Sequence, residues 1–111
     1  MNVESRLSVL VVVHNEEAQL SECLSCLTSA DEIIVVLDRC SDASKQISSE
    51  FTDRLIEGVW PVEGDRRNSG LDACRYEWVL EVDADERVPL QLFNEIRTTI
   101  LTATPGYFLV P

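Results

Sequence analysis

The stretch Glu77-Trp78-Val79-Leu80-Glu81-Val82-Asp83-Ala84-Asp85-Glu86 decides how the chain is read. Trp78, Val79, Leu80 and Val82 form a short apolar run of the kind that fills the middle of a parallel sheet. Where that run ends, Asp83 and Asp85 flank a single alanine and Glu86 follows. Two carboxylates one residue apart at a strand mouth suit a hard divalent cation, Mg²⁺ or Mn²⁺. Such a cation takes oxygen ligands and keeps positions open for phosphate oxygens. A strand running into an acidic, solvated turn is the plain alternative, and the triplet alone does not choose between the two.

Upstream, residues 7–13 are apolar but for Ser8 and rich in valine, which predicts a central strand. Leu20, Cys23, Leu24 and Leu27 recur at three- and four-residue spacing and predict a helix over 16–27. Residues 33–37 predict a second buried strand running into Asp38. Ser41 or Asp42 can cap the helix that follows, with Ala43, Ile47 and Phe51 on its inner side. Residues 54–60 read as a less apolar strand towards an edge, 61–65 as a loop, and 66–75 as a helix with Leu71 and Cys74 facing in. Downstream, Pro89 suits a first helical turn, and Leu92, Phe93, Ile96 and Ile100 make the next apolar stripe. Thr104-Pro105-Gly106 breaks the chain before a last short strand at 107–110.

Strands alternating with helices at these lengths imply right-handed crossovers, hence an α/β, Rossmann-like parallel sheet with helices on both faces. Ligands of such sheets bind outside the carboxyl ends of the strands, where the strand order reverses. That rule brings the polar clusters to one edge. His14, Asn15, Glu16 and Glu17 end the first strand, Asp38 the second, and Asp83 to Glu86 the fourth. Arg66, Arg67 and Asn68 would open the helix after the third, where a helix N-terminus favours anions. His14 as a strand-ending histidine, Asp38 as a capping carboxylate and the arginines as a solvated helix start are the plain readings of the same residues.

At 111 residues the chain has room for one domain, spanning 1–111, and for a modest core. A net charge of −11 excludes nonspecific nucleic-acid binding, which needs basic stripes, and disfavours unaided docking to an anionic membrane. No run reaches the roughly 18 apolar residues of a membrane span, and residues 7–13 lead into charge, not a cleavage site. Cys23, Cys26, Cys40 and Cys74 do not complete a zinc site, since the one C-x-x-C lies inside a helical pattern. Free thiols in a reducing cytoplasm are expected. No G-x-G-x-x-G follows the first strand and no G-x-x-x-x-G-K-[S/T] occurs anywhere, which disfavours dinucleotide-binding and P-loop domains. A phosphoacceptor receiver domain would need an aspartate after strand three and a lysine after strand five. The chain has Trp60-Pro61 and Val110-Pro111 there.

Four ordered segments carry a resemblance. Residues 7–17, Leu-Ser-Val-Leu-Val-Val-Val-His-Asn-Glu-Glu, are similar to the opening of family 2 glycosyltransferases, where a strand ends in a Tyr-Asn-Glu-Glu type loop. Residues 31–42 resemble that family's second strand and Asp-rich turn, and Gly64-Asp-Arg-Arg-Asn-Ser-Gly70 resembles its Gly-x-x-Arg-Asn-x-Gly segment. Residues 78–87 resemble the strand bearing its Asp-x-Asp metal motif. Their continuation into Glu86-Arg87 points to the lipopolysaccharide-core glucosyltransferase-like branch.

The resemblance implies a GT-A fold that binds a nucleotide-diphosphate sugar and a divalent metal, Mn²⁺ or Mg²⁺. It assigns base and ribose contacts to His14, Asn15, Glu16 and Asp38, and the diphosphate contact to Arg67. Asp83 falls on the ribose and metal positions, with Asp85 the more direct metal ligand. It implies an acceptor glycan or lipid-linked saccharide, and a cytoplasmic setting that extends to the inner face of a membrane. His14 departs from the family's tyrosine, and Leu37 stands where many members have an aspartate before Asp38. No Asp or Glu follows Glu95, so no general base is assigned and the chain reads as a donor-binding half. A noncatalytic sugar-nucleotide-binding module is the alternative. A nucleotidyltransferase is a third reading, disfavoured because its basic, Gly-rich first loop is absent. An uncovered sheet edge leaves self-association open.

Overall fold

The computed structural model describes residues 6–102. In chain order it contains β1 (Leu7–Val13), α1 (Glu17–Ser25), β2 (Glu32–Asp38), α2 (Ser44–Ser49), β3 (Leu55–Gly58), α3 (Glu63–Ala73), β4 (Trp78–Asp83) and α4 (Leu90–Thr102). All three strand pairings are parallel, and the order is β3-β2-β1-β4. The chain steps from β1 out to β3, and α3 then carries it back to β4 on the other side of β1. The order therefore reverses at β1, the place where such sheets leave a crevice. The expected strand at 107–110 lies outside the described residues.

Alternation along β1 assigns the two faces. Leu7, Val9, Val11 and Val13 meet Leu20, Cys23 and Leu24 of α1 and Phe93 and Ile100 of α4 in the larger core. Ile47 of α2 and Leu92 and Ile96 of α4 pack against its margin, so the predicted stripes are the buried ones. Leu10 joins Ile34 and Val36 in a smaller core on the opposite face, covered by Leu71, Ala73 and Cys74. Gly70 sets how closely α3 approaches that face. A Cβ there would stand 2.4 Å from Leu10 Cδ1 and 2.9 Å from Val36 Cγ2, so only a bare backbone fits.

Two expectations are corrected. Among the described residues β4 lies at one edge of the sheet and pairs only with β1, and Val79 and Leu80 are half-buried. Its apolar run serves an edge that alternates, with Glu81 exposed. α3 starts at Glu63 and not at residue 66, so Arg66 and Arg67 sit beyond its first turn. Glu63 and Asp65 occupy that first turn, where acidic side chains complement the helix dipole.

The amino end of the sheet is closed by a buried carboxylate. The Glu32 side chain, 1% exposed, accepts hydrogen bonds from Ser8 Oγ (2.8 Å), the Arg75 amide (2.8 Å), Arg75 Nε (2.6 Å) and Arg54 (2.9 Å). Burial alone would raise its pKa, but these donors outweigh burial and hold it below the usual range.

Candidate functional site

The polar clusters meet at the opposite, carboxyl end of the sheet. Register sets Asp83 beside Val12, and Leu37 beside Val13. Asp38 and Asp83 therefore flank β1 on either side, with Asp38 two residues further along, which puts their backbones roughly 12 Å apart over two strand spacings and that offset. Glu81 and Asp83 share the face of β4 that carries α3, by the period of two. The turn after β4 is closed twice. The Glu86 amide donates to Asp83 O (2.9 Å), and the Asp83 amide donates to Glu86 Oε1 (2.7 Å). Glu86 is thereby engaged in shaping the turn. The Asp83 and Asp85 carboxylates are exposed and form no hydrogen bond or ion pair among the described residues.

That pair of unengaged carboxylates has the donor chemistry of a hard-cation site. No three of the described His, Cys, Asp and Glu side chains converge on one point. A cation held by Asp83 and Asp85 would complete its shell from water and phosphate, the usual manner for Mg²⁺.

Asp38 is placed differently. It is fully buried, and its carboxylate accepts from Arg66 (2.8 Å), from Arg39 Nε (3.1 Å) and Nη2 (3.3 Å), and from the Trp60 amide (3.3 Å). Burial would raise its pKa; the bond from Arg66, then the Trp60 amide and Arg39, reverse that and keep it ionised below the usual range. Arg39 has a positive φ of 52°.

The loops after β1 and β2 are laced together. His14 Nδ1 lies 2.8 Å from Asp38 O. Asn15, at φ 51°, accepts from the Ser41 amide (2.8 Å) and the Asp42 amide (3.2 Å) through Oδ1. The Glu16 amide donates to Ser44 Oγ (3.0 Å) and the Glu17 amide to Asp42 Oδ2 (3.1 Å). Glu17 Oε1 in turn accepts from the Ala43 amide (3.3 Å), and Asp42 Oδ1 from the Ser44 amide (2.9 Å). The first amides of α1 and α2 are thus capped reciprocally across two loops.

The two neighbouring arginines of α3 reach opposite ways over β1. Arg66 holds Asp38 at the end of β2, and Arg67 Nε sits 2.9 Å from Glu81 Oε1 on β4. Among the described residues every Lys and Arg side chain but Arg6 is ion-paired, and Arg6 lies over the Tyr76 ring at 5.7 Å. The concave surface lined by Leu90, Gln91, Asn94, Glu95, Thr98 and Thr99 runs along α4 and includes none of the strand-end residues. All four cysteines are free, and burial pushes the Cys23 thiol up to about 11.

Sequence reading did not find Arg39, Glu81 or the Trp60 amide as parts of this site. Asp42 was found as a helix cap, although its second role at Glu17 carries no local signal.

The arrangement is similar to solved glycosyltransferases. Staphylococcus aureus TarS (residues 1–349), determined in complex with UDP, superposes with a TM-score of 0.71 at 25% identity, over 86% of this chain and 32% of that one. Mycobacterium tuberculosis glucosyl-3-phosphoglycerate synthase, determined with Mn²⁺ and UDP-Glc, gives a TM-score of 0.73 at 22% identity, over 88% and 40%. The latter likeness is one of fold, the GT-A arrangement. Among sequences, the lipopolysaccharide core biosynthesis glycosyltransferase LpsC of Rhizobium meliloti is 27% identical over 103 residues, covering 88% of this chain and 38% of LpsC. The uncharacterized glycosyltransferase RT0209 of Rickettsia typhi is 27% identical over 92 residues, 82% of this chain and 32% of RT0209. The chain thus spans about a third of the length of these relatives. The model of glycosyl transferase family 2 matches residues 8–101, a range that takes in all three strand-end clusters and both α3 arginines: this chain belongs to that family.

Proposed function

We propose that the chain binds a nucleoside-diphosphate sugar across the carboxyl ends of β1, β2 and β4, as the donor part of an enzyme that passes the sugar to an acceptor hydroxyl. One observation carries this reading. Asp83 and Asp85 are exposed, without a protein partner among the described residues, at the mouth of a strand beside the reversal of strand order. The nucleotide complexes of TarS and of the mycobacterial synthase support the class of donor. Asp85 and Asp83 would hold a divalent cation, Mn²⁺ or Mg²⁺, which when bound supplies positive charge against the departing nucleoside diphosphate.

The chain's own residues do the rest. The loop at 14–16 forms one wall, where His14 keeps its ring exposed and leaves Nε2 for a base. Asp38 ends the other wall. It meets a base or ribose by giving up one of its longer donors, the Trp60 amide or Arg39, while Arg66 keeps it ionised. Arg67 is the cation on the α3 face, and it reaches a diphosphate by leaving Glu81. The acceptor class we propose is a glycan or lipid-linked saccharide. The four free thiols favour a cytoplasmic setting, at the inner face of a membrane where the acceptor is lipid-linked. No helix among the described residues is long and apolar enough to cross a membrane.

Calorimetric titration of UDP into the chain, with and without Mn²⁺, tests the reading on wild type and Asp85→Ala. Heat of binding that requires both Mn²⁺ and Asp85, with an unchanged thermal midpoint in the variant, is expected. A folded wild-type chain that binds none of UDP, GDP or dTDP in the presence of Mn²⁺ would overturn it.

A further inference from the structure

We propose that Asn15 is a positioning residue: it fixes the loop at 41–44 against the loop after β1 and so presets the wall that a nucleotide meets. The inference rests on the donor-binding reading for its functional consequence, but its structural half stands on geometry alone. Asn15 adopts φ 51°, a conformation open to few residues besides glycine, asparagine and aspartate. That turn aims Oδ1 at two successive amides, Ser41 and Asp42, from 26 and 27 residues away. An oxygen receiving two backbone donors is occupied as an acceptor, and it is not the group that meets a ligand.

The bonds around it are arranged to make the two loops one body. On one side of Asn15, His14 holds Asp38 O; on the other, the Glu16 and Glu17 amides hold Ser44 and Asp42. Glu17 returns the contact to the Ala43 amide. Without Asn15 the 41–44 segment keeps its attachment to the helix starts but loses the bonds that hold residues 41 and 42 beside the end of β1. Asp38, His14 and the 41–42 backbone would then have to be brought into place during binding, and the cost of ordering them would appear as lost affinity. Pre-assembly also accounts for the residue type. Glycine would allow the backbone angle without the acceptor, and alanine would supply neither.

Amide hydrogen exchange on the ligand-free chain, paired with UDP titration in Mn²⁺ at about 0.15 M salt to screen added charge, tests this with Asn15→Gly and Asn15→Asp. In Asn15→Gly the Ser41 and Asp42 amides should exchange faster while β1 and β2 keep their protection, and UDP affinity should fall about tenfold, the loss of one to two hydrogen bonds. Asn15→Asp keeps the acceptor and should restore both the protection and most of the affinity. Unchanged exchange at Ser41 and Asp42 in Asn15→Gly overturns the brace. Restored protection with affinity still lost in Asn15→Asp also overturns it, since the side-chain amide would then be a direct ligand contact. A wild-type chain that binds no nucleotide sinks the donor-site reading, while the exchange comparison still decides the brace.

Discussion

Residue types at strand ends were legible because chemistry and position coincide there. Asp83 and Asp85 end an apolar run, and both are exposed where β4 stops. What could not be read was which polar groups already have partners. Asn15 meets Ser41 across 26 residues, and Asp38 meets Arg66 across 28. Such pairings follow from strand order, which no local pattern states. They change what each residue can do. The family resemblance implies a diphosphate contact at Arg67, whose guanidinium rests on Glu81 with both side chains about half exposed. An exposed pair of this kind is worth about 0.2–1 kcal/mol, so a diphosphate has to outcompete it by that amount. Glu81→Gln should therefore tighten UDP binding about two- to fivefold, read by calorimetry at low salt. Weaker binding in that variant would mean that Glu81 positions Arg67 and does not compete for it.

At the scale of elements, periodicity identified every helix and strand among the described residues, while ends and neighbours were less visible. The start of α3 was missed because Val62-Glu63-Gly64-Asp65 looks like a loop, its glycine and charges masking a first turn stabilised by the acids themselves. β4 was read as central because Trp78 to Val82 is apolar in composition, although Glu81 already marks the alternation of an edge. Gly70 was noticed only as part of a motif, and the structure gives it a mechanical reason. The methyl of Gly70→Ala would press on Leu10 and Val36, so overpacking should cost about 1–3 kcal/mol, seen as a lower urea midpoint at unchanged slope. The substitution would also lift α3 from the sheet and move Arg66 and Arg67 together. A variant as stable as wild type would show that Leu10 can swing away without cost.

Taken whole, the molecule is a sheet with a buried carboxylate at each end: Glu32 beneath β2 and Asp38 above it. Burial would raise both pKa values, but the donors around each prevail and both are lowered. A carboxyl whose folded pKa lies below its unfolded value stabilises fully above about pH 4, and that stability is lost as pH falls through the folded value. Urea midpoints should therefore hold from pH 7 to about 5 and drop below pH 4, less steeply in Glu32→Gln. A steepest drop above pH 6 would contradict this. The overall architecture was legible because each strand–helix repeat has one short handed solution; the two ion clusters were not, because they join side chains of different elements, such as Asp38 with Arg66 and Glu32 with Arg75, 28 and 43 residues apart. Eight of the nine Lys and Arg side chains are held by carboxylates of this same chain, on a molecule of net charge −11. An anionic nucleotide is thus repelled as it approaches, and added salt should speed its arrival. Between about 0.01 M and 0.1 M, as the screening length shrinks from roughly 30 to 10 Å, the association rate constant measured by stopped flow should rise, the reverse of ordinary electrostatic steering.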